Sequence, residues 1–329
     1  MRKLMLSTVA LAAVLAPFAA AAPALALNAK SYVSNSGSDG ASCATPATAC
    51  ATFDGAVTKT AAGGEVSVVN TGDYGSIYVN KTVSITNDGA GEARVTPAGA
   101  VTYGVYVTAG VGDVVGLRGL VIDAQGEAGK YYGIFAVQAS AMHIQNCVIR
   151  NFETAGGGFG ILLQSSHNVQ LFVSDTVIYN NGSTAATGGI VIQSFSQSST
   201  SVVLDRVHLE NNVRGLWVDG HYSTGNGAHV VIRDSVVSGN AGEGILASTV
   251  AGASPAFIMV ERTASVNNAG IGIKADGPGA TMLLDGDVVV RNGTGLSATN
   301  SGQLISYGNN KVNNNVGADG TPTGSYSPI

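Results

Sequence analysis

The sequence predicts an all-β solenoid, a parallel β-helix with three short strands per turn. Two recurring phrases and the residues that punctuate them carry that expectation. The first phrase is a glycine followed by alternating apolar residues: GIFAVQ from Gly133, GILLQS from Gly160, GIVIQS from Gly189, GLWVDG from Gly215, GILAST from Gly244, GIKADG from Gly272 and GLSATN from Gly295. Successive starts lie 27, 29, 26, 29, 28 and 23 residues apart. The second phrase is an apolar strand, an acidic or amide residue, and another apolar strand ending in Asn. It is seen in VQLFVSDTVIYNN ending at Asn181 and SVVLDRVHLENN ending at Asn212. Apolar alternation of period two marks strands, and Gly, Asn and Asp between them mark corners.

A full turn separates strands of equal phase, so they cannot form hairpins and must pair in parallel with the next turn. Stacked in this way, each turn buries its apolar face against its neighbours. The phase predicts turn residues stacking as Asn146, Asp175, Asp205, Asp234 and Glu261. Strand ends are predicted to stack as Asn151, Asn181, Asn212, Asn240, Asn268 and Asn292. A leucine-rich horseshoe would need an L-x-x-L-x-L pattern, which is absent.

The chain opens with Arg2 and Lys3, an apolar run from Leu4 to about Ala22, and the small-residue triplet Ala24-Leu25-Ala26. This order predicts a cleaved secretory leader over 1–26 and a protein that is secreted, periplasmic or on the cell surface. Residues 27–315 read as one domain, with an N-terminal cap at about 31–65 and a C-terminal tail at 316–329. No later apolar stretch predicts a membrane span. Loss of Arg2 and Lys3 takes the net charge from −5 to −7, with the remaining cations scattered, which argues against nucleic-acid binding. Cys43 and Cys50 flank a short loop in an exported chain and predict a disulfide. Cys147 falls in an apolar strand and reads as a buried thiol. The histidines fall at unrelated phases, so no metal site is predicted from them.

These phased repeats resemble the right-handed parallel β-helix proteins of the pectate lyase-like (pectin lyase fold) superfamily. The segment Ser31 to Val57, followed by GGEVSVVNTGDYG, is similar to the N-terminal cap of the bacterial exported subgroup, and SYGNNKVNNNVGADGTPTG is similar to its last turn. The resemblance implies a single-stranded right-handed parallel β-helix. It also implies that the T-F-x-x-A segment at Thr52 is a short helix plugging the end of the column, and that a polysaccharide groove lies on one parallel sheet.

Alternation after each glycine predicts two outward rows. One is apolar: Phe135, Leu162, Val191, Trp217 and Leu246. The other is polar: Gln164, Gln193, Asp219, Ser248, Asp276 and Thr299. Phe135, Leu162, Gln164, Gln193, Trp217 and His221 are the candidate ligand-binding residues, since rings lie against sugar faces and amides bond hydroxyls. Two other readings stay open: loops at Phe195 to Ser201 and Tyr222 to Gly227 that cover the stripe, or a contact between copies in a homo-oligomer.

Asp219, Asp276 and Lys274 are the candidate catalytic residues. The two acids sit two turns apart at one phase, roughly 10 Å between backbones, and leaning side chains could approach the 6.5–9.5 Å of an inverting pair. A lyase would instead use Lys274, Arg214 or His221 as base, with Asp219 and Asp276 holding Ca²⁺. Otherwise no cofactor is expected. The paired-acid and Gly-His-Gly signatures of polygalacturonase-like enzymes are absent. WVDGH, from Trp217 to His221, has a glycine inserted in a W-x-D-H lyase signature and lacks the companion Arg-x-Pro. The expected function is therefore binding of an extended polysaccharide or surface partner. A lyase, hydrolase or epimerase acting on a uronate glycan is the alternative, and a structural surface protein a second one.

Overall fold

The structure, a computed structural model, describes residues 26–327. All of the leader assigned to 1–26 except Ala26 therefore lies outside the described residues. Strands from successive turns pair in parallel into three sheets of 12, 9 and 10 strands. One turn illustrates the rest: Tyr132–Gln138 belongs to the nine-stranded sheet, Ala141–Gln145 to the twelve-stranded sheet and Val148–Arg150 to the ten-stranded sheet. The inward residues form ladders. Ile134, Ile161, Ile190, Leu216, Ile245, Ile273 and Leu296 sit in register along the nine-stranded sheet, all buried. The segment after residue 315 stays on the solenoid: Gly324–Ser325 adds a last strand to the twelve-stranded sheet.

The glycine of each repeat is there because no β-carbon fits. A methyl at Gly160 would stand 2.5 Å from the carbonyl oxygen of Gly189, one at Gly215 2.5 Å from that of Gly244, and one at Gly244 2.6 Å from that of Gly272. The same missing methyls make room for an asparagine column. The Asn181, Asn212, Asn240, Asn268 and Asn292 backbone N–H groups each donate to the side-chain oxygen of the next asparagine, ending at Asn315, over 2.9–3.1 Å. The amides also donate to strand carbonyls inside the column, as from Asn240 to Leu209 and from Asn268 to Val237. A β-carbon at Gly244 would lie 2.8 Å from the Asn268 amide nitrogen. Glycine and asparagine columns are thus a single steric unit.

Two predicted alignments shift by one residue. Asn151 is not in the asparagine column. It occupies the left-handed corner position (φ 65°) with Asn180, Asn211 and Asn267, and the column position in that turn is Phe152, whose N–H donates to Asn181. At the other corner the left-handed row is Asn146, Asp175, Arg206, Asp234 and Arg262, so arginines stand where acids were expected. Asp205 and Glu261 belong to the preceding row, flanking Arg233 in register. Alternating signs in adjacent rows give a ladder of exposed ion pairs: Arg206–Asp175 at 2.7 Å, Arg233–Asp205 at 3.1 Å and Arg262–Asp234 at 2.8 Å. Each contributes little alone.

The expected cap is present. Phe53–Lys59 is a helix whose N-cap Thr52 hydroxyl accepts from the Gly55 N–H, and Phe53, Ala56 and Val57 are buried over the column end. Cys43 and Cys50 form the predicted disulfide, with their Cα atoms 5.0 Å apart, and Cys147 is a buried thiol.

Two outcomes follow from the corner columns. Asn240→Leu removes the acceptor of a buried N–H and two amide bonds, and should lower unfolding free energy by about 3 kcal/mol; a urea midpoint equal to that of the parent would disprove the column's role. Asp287 is fully buried and accepts from the Thr263 and Asp285 N–H groups. Burial pushes its carboxyl up to about 7, with the charges of Asp285 and Glu261 adding to the rise. A carboxyl raised on folding stabilises below its ordinary range and loses that contribution as pH climbs through 7. Urea midpoints should therefore fall between about pH 4 and 7 and level off above that. Asp287→Asn, which can accept only one of the two bonds with its oxygen, should start lower and vary less.

Candidate functional site

The outward face of the nine-stranded sheet changes character along the axis. Its central row runs Tyr78, Tyr106, Phe135, Leu162, Val191, Trp217, Leu246, Lys274 and Ser297. On strands Tyr103–Thr108, Tyr132–Gln138 and Phe159–Ser165 the alternation breaks at the glycine. Gly133 and Ile134 are both buried, so Tyr132 and Phe135, three residues apart, both face out. A second outward row results: Tyr103, Tyr132 and Phe159.

Together the two rows build an aromatic platform at the N-terminal half of the face. Tyr106 stacks on Phe135 at 5.2 Å and 14°, Phe135 on Tyr132 at 4.6 Å and 18°, and Tyr132 on Phe159 at 5.6 Å and 14°. Tyr103, Tyr78 and Tyr131 extend it at 5.2, 5.8 and 6.1 Å. Tyr78 is 41 % exposed, and its hydroxyl accepts from Thr108 at 3.0 Å. Asp54 of the capping helix borders the platform, its carboxylate accepting the Tyr78 N–H at 2.6 Å. Burial raises the Tyr103 phenol, and the Asp54 charge raises it further.

Beside the rings runs a row of amides. Gln164 Nε2 donates to Gln193 Oε1 at 2.8 Å, and Gln193 Nε2 donates to Asp219 Oδ2 at 3.0 Å. Asp219 Oδ1 accepts from the His221 backbone N–H at 3.1 Å and contacts His221 Nδ1. The two loops beside this row carry Phe195 and Tyr222. Their rings stack on each other at 5.1 Å, Tyr222 is exposed, and a shallow depression of about 300 Å³ lies between Gln164, Ser166, Phe195 and Ser196.

Several predicted site residues are placed otherwise than the sequence suggests. Leu162 is 3 % exposed and Val191 0 %, although both fall in the outward row. Leu162 is thus not a contact residue, and the apolar stripe is not a continuous open groove. Trp217 lies beneath the Arg214 guanidinium, 4.8 Å from its ring, and its Nε1 donates to Ser248 at 2.8 Å. Arg214 itself pairs with Glu243 at 2.7 Å. Phe135, Gln164 and Gln193 are together on the accessible part of the face, and His221 is at the end of the amide row.

The catalytic candidates are not poised for chemistry. Asp219 is 2 % exposed and its oxygens take the bonds just described. Asp276 accepts from Thr299 and Asn300 at 2.8 and 2.7 Å and pairs with Lys274 at 3.0 Å. Burial pushes the Asp276 carboxyl up, but Asn300, Lys274 and Thr299 together outweigh that and hold it below its ordinary range. Ser248 stands between the two acids in register. Ca²⁺ needs six to eight oxygens at 2.3–2.6 Å. Two carboxylates on alternate strands, both already bonded to donors, do not fit it, and no group of three metal-ligating side chains exists among the described residues.

The sequence reasoning missed Tyr78, Tyr103, Tyr106, Tyr131, Tyr132 and Phe159. The signal was present: GVYVTA at Gly104 is the same glycine phrase, 29 residues before Gly133. Extending the phrase count one turn upstream brings Tyr106 into the row of Phe135.

No family model and no curated protein matches this sequence. Among solved structures, a pectate lyase superposes with a TM-score of 0.53 over 87 % of this chain and 79 % of that one, at 13 % identity. The chain folds as a pectate lyase-like parallel β-helix. At that identity the likeness of the pectate lyase-like β-helix is one of fold. A rhamnogalacturonan lyase aligns over 87 % of both chains at 12 % identity with a TM-score of 0.34, which adds nothing to the assignment.

If Asp219 orders the amide row rather than catalysing, Asp219→Ala should lower unfolding free energy by about 2–3 kcal/mol through loss of charged hydrogen bonds. Denaturation matching the parent would contradict that role.

Proposed function

We propose that this β-helix binds an extended polysaccharide laid along the outward face of its nine-stranded sheet, and that it acts as an exported binding protein. The observation that carries this reading is the set of near-parallel rings on three neighbouring strands, extended by the tilted Tyr78 to a fourth, roughly 14 Å along the axis. A pyranose has apolar C–H surface and hydroxyls at its edge. A ridge of stacked rings with an amide row alongside offers an apolar surface and polar partners together. Binding is preferred to catalysis because Asp219, Asp276 and Lys274 are committed to internal bonds. The Cys43–Cys50 disulfide supports an exported location.

Tyr78→Ala and Tyr106→Ala should each weaken binding about tenfold, the loss of roughly 1.5 kcal/mol of ring contact. Affinity electrophoresis through polysaccharide-containing gels reads this directly, with circular dichroism to confirm folding. Retardation unchanged in both variants would overturn the platform as the binding surface.

A further inference from the structure

We propose that the polymer taken by this face is an uncharged glycan and not a polyuronate. This rests on the polysaccharide-binding reading and extends it to the class of ligand.

Recognition of a uronate favours cations set against its carboxylates, and the lysines and arginine beside the face among the described residues are engaged elsewhere, Lys81 beyond the Tyr78 strand with the Thr60 carbonyl at 2.6 Å. Lys274, within strand Ile271–Asp276, pairs with Asp276 at 3.0 Å. Arg214 is held by Glu243 at 2.7 Å and lies against Trp217. Lys130, next to the platform residue Tyr131, is buried with its ammonium turned inward onto the carbonyls of Gly99 and Val101 at 2.7 and 3.1 Å. What borders the rings instead is the carboxylate of Asp54, close enough for its charge to act on Tyr103. That charge repels an anionic polymer.

The amide row has a fixed polarity that points the same way. A carboxylate can only accept, so Asp219 forces Gln193 to present its NH₂ toward it. Gln193 then turns its oxygen to Gln164, which must donate in turn. The chain of bonds therefore terminates at the carbonyl oxygen of Gln164, beside the strand carrying Phe135. An acceptor in that place suits a sugar hydroxyl and disfavours a sugar carboxylate. The buried acid orders a row of neutral side chains into a reader of hydroxyl donors.

The test is isothermal titration of the mature chain against neutral polymers (glucan, mannan, galactan, xylan) and against polygalacturonate and alginate, with and without Ca²⁺. The expected result is binding of at least one neutral polymer about tenfold more tightly than either polyuronate. Its affinity should change by less than about twofold between low and high salt, as expected for uncharged contacts. Gln164→Lys, which replaces the terminal acceptor with a cation, should weaken the neutral polymer and strengthen polygalacturonate. Polyuronate binding as tight as neutral binding, or dependent on Ca²⁺, overturns the inference while leaving polysaccharide binding intact. An unchanged preference in Gln164→Lys overturns the role of the amide row. Failure of every polymer to bind would instead remove the binding function itself.

Discussion

An asparagine side chain can bridge one turn to the next only where the residue opposite has no β-carbon. From Asn181 onward the stacking of the solenoid depends on that fit. The amide of Asn268 occupies space that a methyl on Gly244 would fill, and the Gly244 backbone in turn packs against the carbonyl of Gly272. Because both partners recur in each turn from Asn181 to Asn315, the phase of the nine-stranded sheet is locked at its entrance there. Outward side chains then fall into rows instead of drifting. Under the stacked rings Tyr106, Phe135 and Tyr132 the same close approach is kept without an asparagine: a β-carbon at Gly104 or Gly133 would meet Ile122 or Ile149 and the carbonyl of the next turn's glycine.

Buried charge does comparable ordering on the outside. Asp219 sits in a row of neutral residues, and a carboxylate with no exposure is costly unless it is bonded. Its amide partner Gln193, and Gln164 beyond it, have two possible orientations each, and an acceptor-only group removes the ambiguity for both. An acid that looks catalytic by residue type thus serves as the fixed end of a hydrogen-bond relay. Lys274 and Asp276, three strands' width of sheet away from the rings, satisfy each other and form a separate, self-neutralised patch.

The fold was largely legible in the sequence, since a period that survives seven glycine phrases leaves little freedom in how turns stack. Errors there were of one residue. Asn151 and Asn181 look equivalent as strand ends, yet a corner needs two residues, one left-handed and one buried, and the sequence does not say which of two adjacent asparagines takes which role. The site was less legible. Alternation tells which row Leu162 and Val191 fall in but not whether they are exposed. Trp217 drew attention as the lone tryptophan, and no local signal shows that Arg214, from the preceding corner, lies on its ring. Tyr103 and Tyr132 were hidden by a different cause: the break of alternation at glycine puts residues on the outer face that a strict period of two assigns elsewhere.

The coupled columns also govern how such a molecule can change in size. An insertion within a turn is absorbed at a corner without disturbing the interlock, as the 23-residue spacing to Gly295 beside the 29-residue spacing to Gly244 shows. A change along the axis has no such latitude, because half a turn would set an asparagine against a residue bearing a side chain. Length is therefore quantised. The solenoid can gain or lose whole turns only, each moving its outer face by one strand spacing of about 4.8 Å, so that the reach of its surface is inherited in discrete steps.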